Sequence, residues 1–222
     1  KSYPHDLKEN SQKHILQRKK KPSHVVGFHN YTLFYDAFFS HMRNEQISLF
    51  EVGLGSNTPG IEGWMGKNAR PGASIYGWSE YFKAGNIYGA DIDKNAVFQE
   101  SEMRIKTYRM DQNSKNDIKN VFESIDEKMD IIIDDGRHWP QYNRSFLENS
   151  FKYLKEGGIF IIEDVSLITS HPQGNFVEMH NENLKYAKEI GRFADILRMK
   201  SDFGPKDSTG RDTTNNLMVI LK

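Results

Sequence analysis

From residue 48 onward the chain alternates short apolar runs with stretches whose apolar residues recur at helical spacing. The runs SLFEVGLG (48–55), NIYGADID (86–93), IKTYRMDQ (105–112), MDIIIDD (129–135) and GIFIIEDV (158–165) predict five strands. Helices are predicted between them over 74–82, 114–125 and 142–154, and after them over 181–193. Ser114 followed by Asp117 makes a near capping box, and Gly157-Gly158 closes the 142–154 helix. Upstream, NYTLFYDAFFSHMR places Leu33, Phe34, Ala37, Phe38 and Met42 on one helical face. The runs ADILRMKS and NNLMVILK predict two last strands, joined by FGPKDSTGRDTTN with no helical pattern between them. This alternation predicts an α/β fold: a single doubly wound, mostly parallel seven-stranded sheet with an antiparallel C-terminal edge hairpin.

Composition narrows the classes. A chain of 222 residues with 37% hydrophobic and 12% aromatic residues can build one core. Thirty basic and thirty acidic residues cancel, which gives no general pull toward nucleic acid or an anionic membrane. Cysteine is absent, so disulfides and thiolate metal sites are excluded. No apolar run is long enough to span a bilayer, and the expected location is the cytoplasm. Residues 1–24 read as a polar arm with the basic run Arg18-Lys19-Lys20-Lys21, and 25–222 as the one folded domain.

In an open α/β sheet, ligands bind beyond the carboxyl ends of the strands. Each of the five strands here ends in acids: Glu51 before Gly53 and Gly55, then Asp91 and Asp93, Asp111 with Gln112, Asp134-Asp135, and Glu163-Asp164. Glycines at 53 and 55 allow a sharp turn and close approach of a ligand. An acid ending the second strand suits the two hydroxyls of a ribose. A dinucleotide fingerprint would need glycine at position 58, which is Thr58, and a helix close behind the glycines for the pyrophosphate. Glu51 would also set negative charge beside that phosphate. A sulfonium ligand tolerates Glu51 better, so the pattern favours S-adenosylmethionine over NAD. Asp93 has the alternative of capping the next helix, and Asp111 that of a turn residue. Trp64, Trp78 and Trp139 read as packing residues before ligand platforms.

Two like charges 4 Å apart repel by about 4 kcal/mol at an effective dielectric near 20. The paired acids therefore need a proton, a basic neighbour such as Arg137 or Arg144, or a hard cation such as Mg²⁺. His138 follows Asp135 on the loop leaving its strand, and its intrinsic pKa suits a general base. GFHNYT (27–32) is a candidate lid, and residues 166–180 and 202–215 are the candidate walls of an acceptor pocket.

The motifs FEVGLG, RPGAS, NIYGADID, MDQ, DIIIDDGRH and LKEGGIFIIEDV resemble the class I S-adenosylmethionine-dependent methyltransferases. More narrowly they resemble the metal-dependent macrolide sugar O-methyltransferases of the mycinamicin type. The cephalosporin hydroxylase-like family shares two of these motifs. The resemblance implies that Glu51 and Gly53 line the methionine side of the cofactor, with Ser74 nearby. It implies Asp91 and Asp93 at the ribose, Asp111 and Gln112 at the adenine, and Asp134 in the same cofactor set. Asp135, Glu163 and Asp164 would bind Mg²⁺, and His138 would be the base. The acceptor would be a sugar-like hydroxyl, with Arg137 suited to a phosphate- or nucleotide-bearing one. A homo-oligomer fits an enzyme of this size, and nucleic acid is not expected as a partner. Residues 56–70 stand as an insertion relative to that family. The alternatives are an NAD-dependent or hydroxylase-like enzyme on this scaffold, or a non-catalytic module binding cofactor or RNA.

Overall fold

The computed structural model describes residues 31–61, 63–198 and 214–222. The basic arm, most of the 27–32 segment and residues 202–213 lie outside the described residues. The rest falls into two compact units that divide between Arg109 and Met110.

The first unit opens with helix α1, Thr32–Phe39. It buries Tyr31, Tyr35 and Phe39, whereas Leu33 is exposed. The core face is thus aromatic at four-residue spacing, one position round from the Phe34 and Phe38 face expected from sequence. Tyrosine supplies the buried ring there. These rings pack around Trp78: Tyr35 meets it at 5.0 Å, Phe39 at 6.1 Å and Phe82 at 5.9 Å between centroids. Strands β1 (Ser48–Val52), β2 (Asn86–Asp91) and β4 (Ile105–Arg109) run parallel, with helix α2 (Ala73–Tyr81) crossing from β1 to β2. A two-residue strand β3 (Gln99–Glu100) pairs antiparallel with β4. The order in this unit is β3-β4-β2-β1.

The second unit has the order β5-β6-β8-β7. Helix α3 (Lys115–Ile125) precedes β5 (Met129–Asp134) and is capped by Ser114, whose Oγ accepts from the Asp117 amide. Strand β5 runs parallel to β6 (Leu154–Val165). The last strands, β7 (Phe193–Leu197) and β8 (Asn216–Leu221), pair antiparallel, with β8 also antiparallel to β6. The expected C-terminal hairpin is present. Eight strands stand among the described residues against the seven expected, the additional one being β3.

Two helices start earlier than their patterns suggested. Helix α4 spans Pro140–Ser150 because proline, its φ already set for a helix, takes the first position. Leu154 then opens β6 instead of ending the helix. Helix α5 spans Phe176–Ile190, capped by Asn175, and the last third of the 166–180 segment is therefore helical. Its buried stripe is Phe176, His180, Asn183 and Ala187, and the two polar members hid the periodicity. Burial pushes the pKa of His180 down to about 4, so it is neutral in the core.

Phe160 is fully buried in β6 and packs against Phe146 and Phe151. Phe160→Ala is expected to cost about 3–5 kcal/mol of unfolding free energy, measured by denaturant titration.

Candidate active site

In the first unit, β1 carries Glu51 into the core, 1% exposed. Its carboxylate accepts from Ser74 Oγ and, at 2.6 Å, from Trp78 Nε1. Ser74 and Trp78 are one turn apart on α2, so they reach the same carboxylate. Burial pushes Glu51 up to about 7, against the lowering effect of these two donors. After β1 the chain turns through Gly53 and Gly55, both at positive φ. A Cβ on Gly55 would lie 2.5 Å from Met65 Sδ, so the 56–70 segment folds back over the glycine turn. The Met65 amide donates to the Ser56 carbonyl at 2.7 Å and closes that loop.

Asp91 ends β2 and accepts from the amides of Leu54 and Asp93, each at 2.8 Å. It ties the glycine turn to the end of the neighbouring strand. Burial raises its pKa. Asp93 does cap the next turn, accepting from the Asn95 amide, and its other oxygen accepts from Ser56 Oγ at 2.5 Å. The insertion thus meets the residue expected at the ribose. Trp78 is a packing residue that also serves Glu51. Trp64 is 54% exposed.

In the second unit, Asp111 accepts from the Asn113 amide and forms a local turn. Gln112 is spent at both ends: Nε2 donates to Asp134 at 3.0 Å, and Oε1 accepts from the Arg137 amide at 2.6 Å. Asp134 is fully buried at the end of β5. It also accepts from Asn143 Nδ2 at 2.9 Å and the Gly136 amide at 3.2 Å. Burial raises its pKa, and Asn143 and the other donors oppose the rise.

One position later the chemistry changes. Donor atoms of Asp135, His138 and Asp164 all lie within 4.8 Å of one another, and none of the three residues is fully buried. His138 Nε2 is 3.8 Å from Asp164 Oδ2, while its Nδ1 is buried without a hydrogen-bond partner. Glu163 is not in this trio. The register of β6 against β8 shifts between Ile162 and Val165, so Glu163 and Asp164 lie in a bulge. A bulge re-aims side chains at the end of a strand. Four non-glycine residues among those described have left-handed φ: Arg104, Asp126, His138 and Asp164. Arg104 and Asp126 end short helical elements. His138 and Asp164 end none, and strain of this kind collects at functional sites. The two carboxylates, partly open to solvent, suit a hard divalent cation with free coordination positions, and the imidazole stands beside them.

The Arg137 guanidinium lies 3.9 Å over Trp139 and 4.7 Å over Tyr142, and it donates to the Tyr142 hydroxyl at 2.9 Å. His171, from the segment expected to shape the acceptor pocket, meets Trp139 at 6.0 Å between centroids.

Comparison with known proteins follows the same lines. Over 141 residues the chain is 34% identical to the mycinamicin VI 2''-O-methyltransferase of Micromonospora griseorubida, covering 63% of this chain and 32% of that one. Over 140 residues it is 30% identical to the 8-demethyl-8-alpha-L-rhamnosyl tetracenomycin-C 2'-O-methyltransferase of Streptomyces olivaceus, covering 63% and 34%. The chain resembles sugar O-methyltransferases. It spans about a third of the length of these curated relatives. The solved structure of the MycE methyltransferase with Mg, SAH and mycinamycin VI superposes with a TM-score of 0.65 at 24% identity, over 98% of this chain and 54% of that one. The fold is therefore the Rossmann-like fold of the class I methyltransferases. No family model matches the chain. Among the described residues, no helix is long and apolar enough to cross a membrane.

The raised pKa of Glu51 has a sign that can be tested. A carboxyl lifted from 4.5 to about 7 on folding contributes stability that is complete below pH 4.5 and lost as pH rises through 7. Glu51→Gln removes this titration. Relative to the parent, the variant is expected to gain about 3 kcal/mol between pH 4.5 and 8, read from denaturant unfolding at both pH values.

Proposed function

We propose that this protein is an S-adenosylmethionine-dependent O-methyltransferase that methylates a saccharide hydroxyl with the help of a divalent cation, Mg²⁺ by resemblance. The observation that carries the reading is the Asp135–His138–Asp164 trio, with its histidine and one carboxylate held in left-handed backbone. A module that only bound a cofactor would need neither a base nor a cation site. The relatives' names, sugar O-methyltransferases, and the Mg and SAH present with MycE support it.

The residue roles follow from chemistry and resemblance together. Glu51, buried under Ser74 and Trp78, would face the ammonium side of the cofactor beside Gly53 and Gly55. Asp91 and Asp93 would serve the ribose; one Asp93 oxygen accepts from Ser56 Oγ. The Asp111–Gln112 segment would serve the adenine, with Asp134 behind it. Asp135 and Asp164 would hold the cation, and Glu163 joins them by resemblance. Bound S-adenosylmethionine supplies an electrophilic methyl, and the cation lowers the pKa of the acceptor hydroxyl. His138 takes the hydroxyl proton on Nε2, since Nδ1 is buried. S-adenosylmethionine, held by the residues above, would give its methyl to the acceptor oxygen and leave as S-adenosylhomocysteine.

His138→Ala is expected to leave S-adenosylhomocysteine affinity intact while methyl transfer to a saccharide panel falls roughly 10²- to 10⁴-fold. Unchanged turnover would remove His138 as the base. Asp164→Asn is expected to shift the Mg²⁺ activation curve to higher concentration, and an unshifted curve would remove it as a ligand.

A further inference from the structure

Three buried polar side chains stand behind the Asp135–His138 loop without being offered to a ligand. Asp134 and Asn143 are fully buried, and Gln112 is 8% exposed. Asp134 Oδ1 takes the Gln112 amide and the Gly136 N–H, and Oδ2 takes the Asn143 amide. Gln112 Oε1 takes the Arg137 N–H. The backbone amides of both residues between Asp135 and His138 are therefore held by this network. Gly136 lies directly on it: an added Cβ would sit 2.1 Å from Gln112 Oε1. The loop then delivers His138 at φ +57°, a conformation that strains an L-residue and persists only when its surroundings enforce it.

We infer that Gln112, Asp134 and Asn143 form a clamp that positions Asp135 and His138, acting through the loop and not on the cofactor. The inference rests on the proposed cation site. It reassigns the side chain of Gln112, and that of Asp134, from cofactor contact to support. Asn143 enters as a positioning residue that the sequence reading did not single out. Its signal was available: in α4 it is a polar residue within the buried series Pro140, Asn143, Phe146, Leu147 and Ser150.

The test uses Mn²⁺ alone as the probe, with free Mn²⁺ followed by electron paramagnetic resonance and metal-free protein followed by thermal unfolding. Two variants attack one contact from opposite sides. Gln112→Met removes both amide bonds, whereas Gly136→Ala leaves every clamp residue in place and displaces the amide. Each is expected to weaken Mn²⁺ binding by about 10- to 100-fold, as loss of groups supporting metal ligands does. Metal-free unfolding should shift by only a few degrees, and the double variant should be little worse than either single one. Variants that bind Mn²⁺ within twofold of the parent would overturn the clamp and leave the cation site standing. A parent that binds no Mn²⁺ would overturn the cation site and the clamp with it. Loss of S-adenosylhomocysteine affinity with Mn²⁺ affinity kept would return Gln112 to the cofactor and overturn the inference. Should Gln112→Met fail to fold, Asn143→Ser takes its place with the same expected result.

Discussion

A carboxylate buried away from water is costly unless it is hydrogen-bonded, and the carboxylate of Asp134 is the point on which this candidate site depends. It sits at the end of β5, a strand whose Ile131, Ile132 and Ile133 are fully buried, so it has no route to solvent. Three donors satisfy it, from Gln112, Asn143 and Gly136. Each comes from a different stretch: the end of the segment after β4, the first turns of α4, and the loop itself. One group therefore fixes where three pieces of chain meet. The next residue, Asp135, and the left-handed His138 inherit that geometry.

Glu51 repeats the device in the first unit. It is another strand-end carboxylate taken into the core and satisfied by side chains, here Ser74 and Trp78 from a single helix. The outcomes differ because the donors differ. Burial lifts Glu51 to about 7, within reach of ordinary buffers, against the lowering effect of its two side-chain donors. Asp134 is held partly by backbone, and its donors also fix the backbone of their own loop. Asp91 takes a third form, with both oxygens on main-chain amides that pin the glycine turn. Acids that look alike in the sequence thus divide into those that build the site and those that face outward from it.

That division was the part the sequence could not show. Strand runs and the acids at their ends were legible, because a fully apolar run such as IIID has few alternatives and its terminus is set by the first charged residues. Helix starts were less so. Pro140 and Asn175 begin helices before the apolar period becomes visible, and His180 and Asn183 interrupt a buried stripe. The core face of α1 was misplaced by one position because Tyr35, with Tyr31 just before the helix, is buried in place of Phe34 and Phe38, and a reading of the most apolar residues passes over tyrosine. At the site, Asp135, Glu163 and Asp164 were read as the cation ligands with His138 as the base, whereas the structure brings Asp135, His138 and Asp164 together without Glu163. The reason is the β6 bulge, a two-for-one pairing against β8 that leaves no mark in the sequence. Gln112 and Asp93 have tertiary partners, Arg137 and Ser56, that lie far along the chain or in the insertion, where no local pattern could indicate them.

The central claim is that these strand ends serve S-adenosylmethionine and a divalent cation. The measurement that tests it most directly is calorimetric titration of the folded protein with S-adenosylhomocysteine, with Mg²⁺ and with EDTA, and with NAD under the same conditions. The account predicts binding of S-adenosylhomocysteine and none of NAD. Binding of NAD, or no binding of S-adenosylhomocysteine by folded protein in the presence of Mg²⁺, would contradict it.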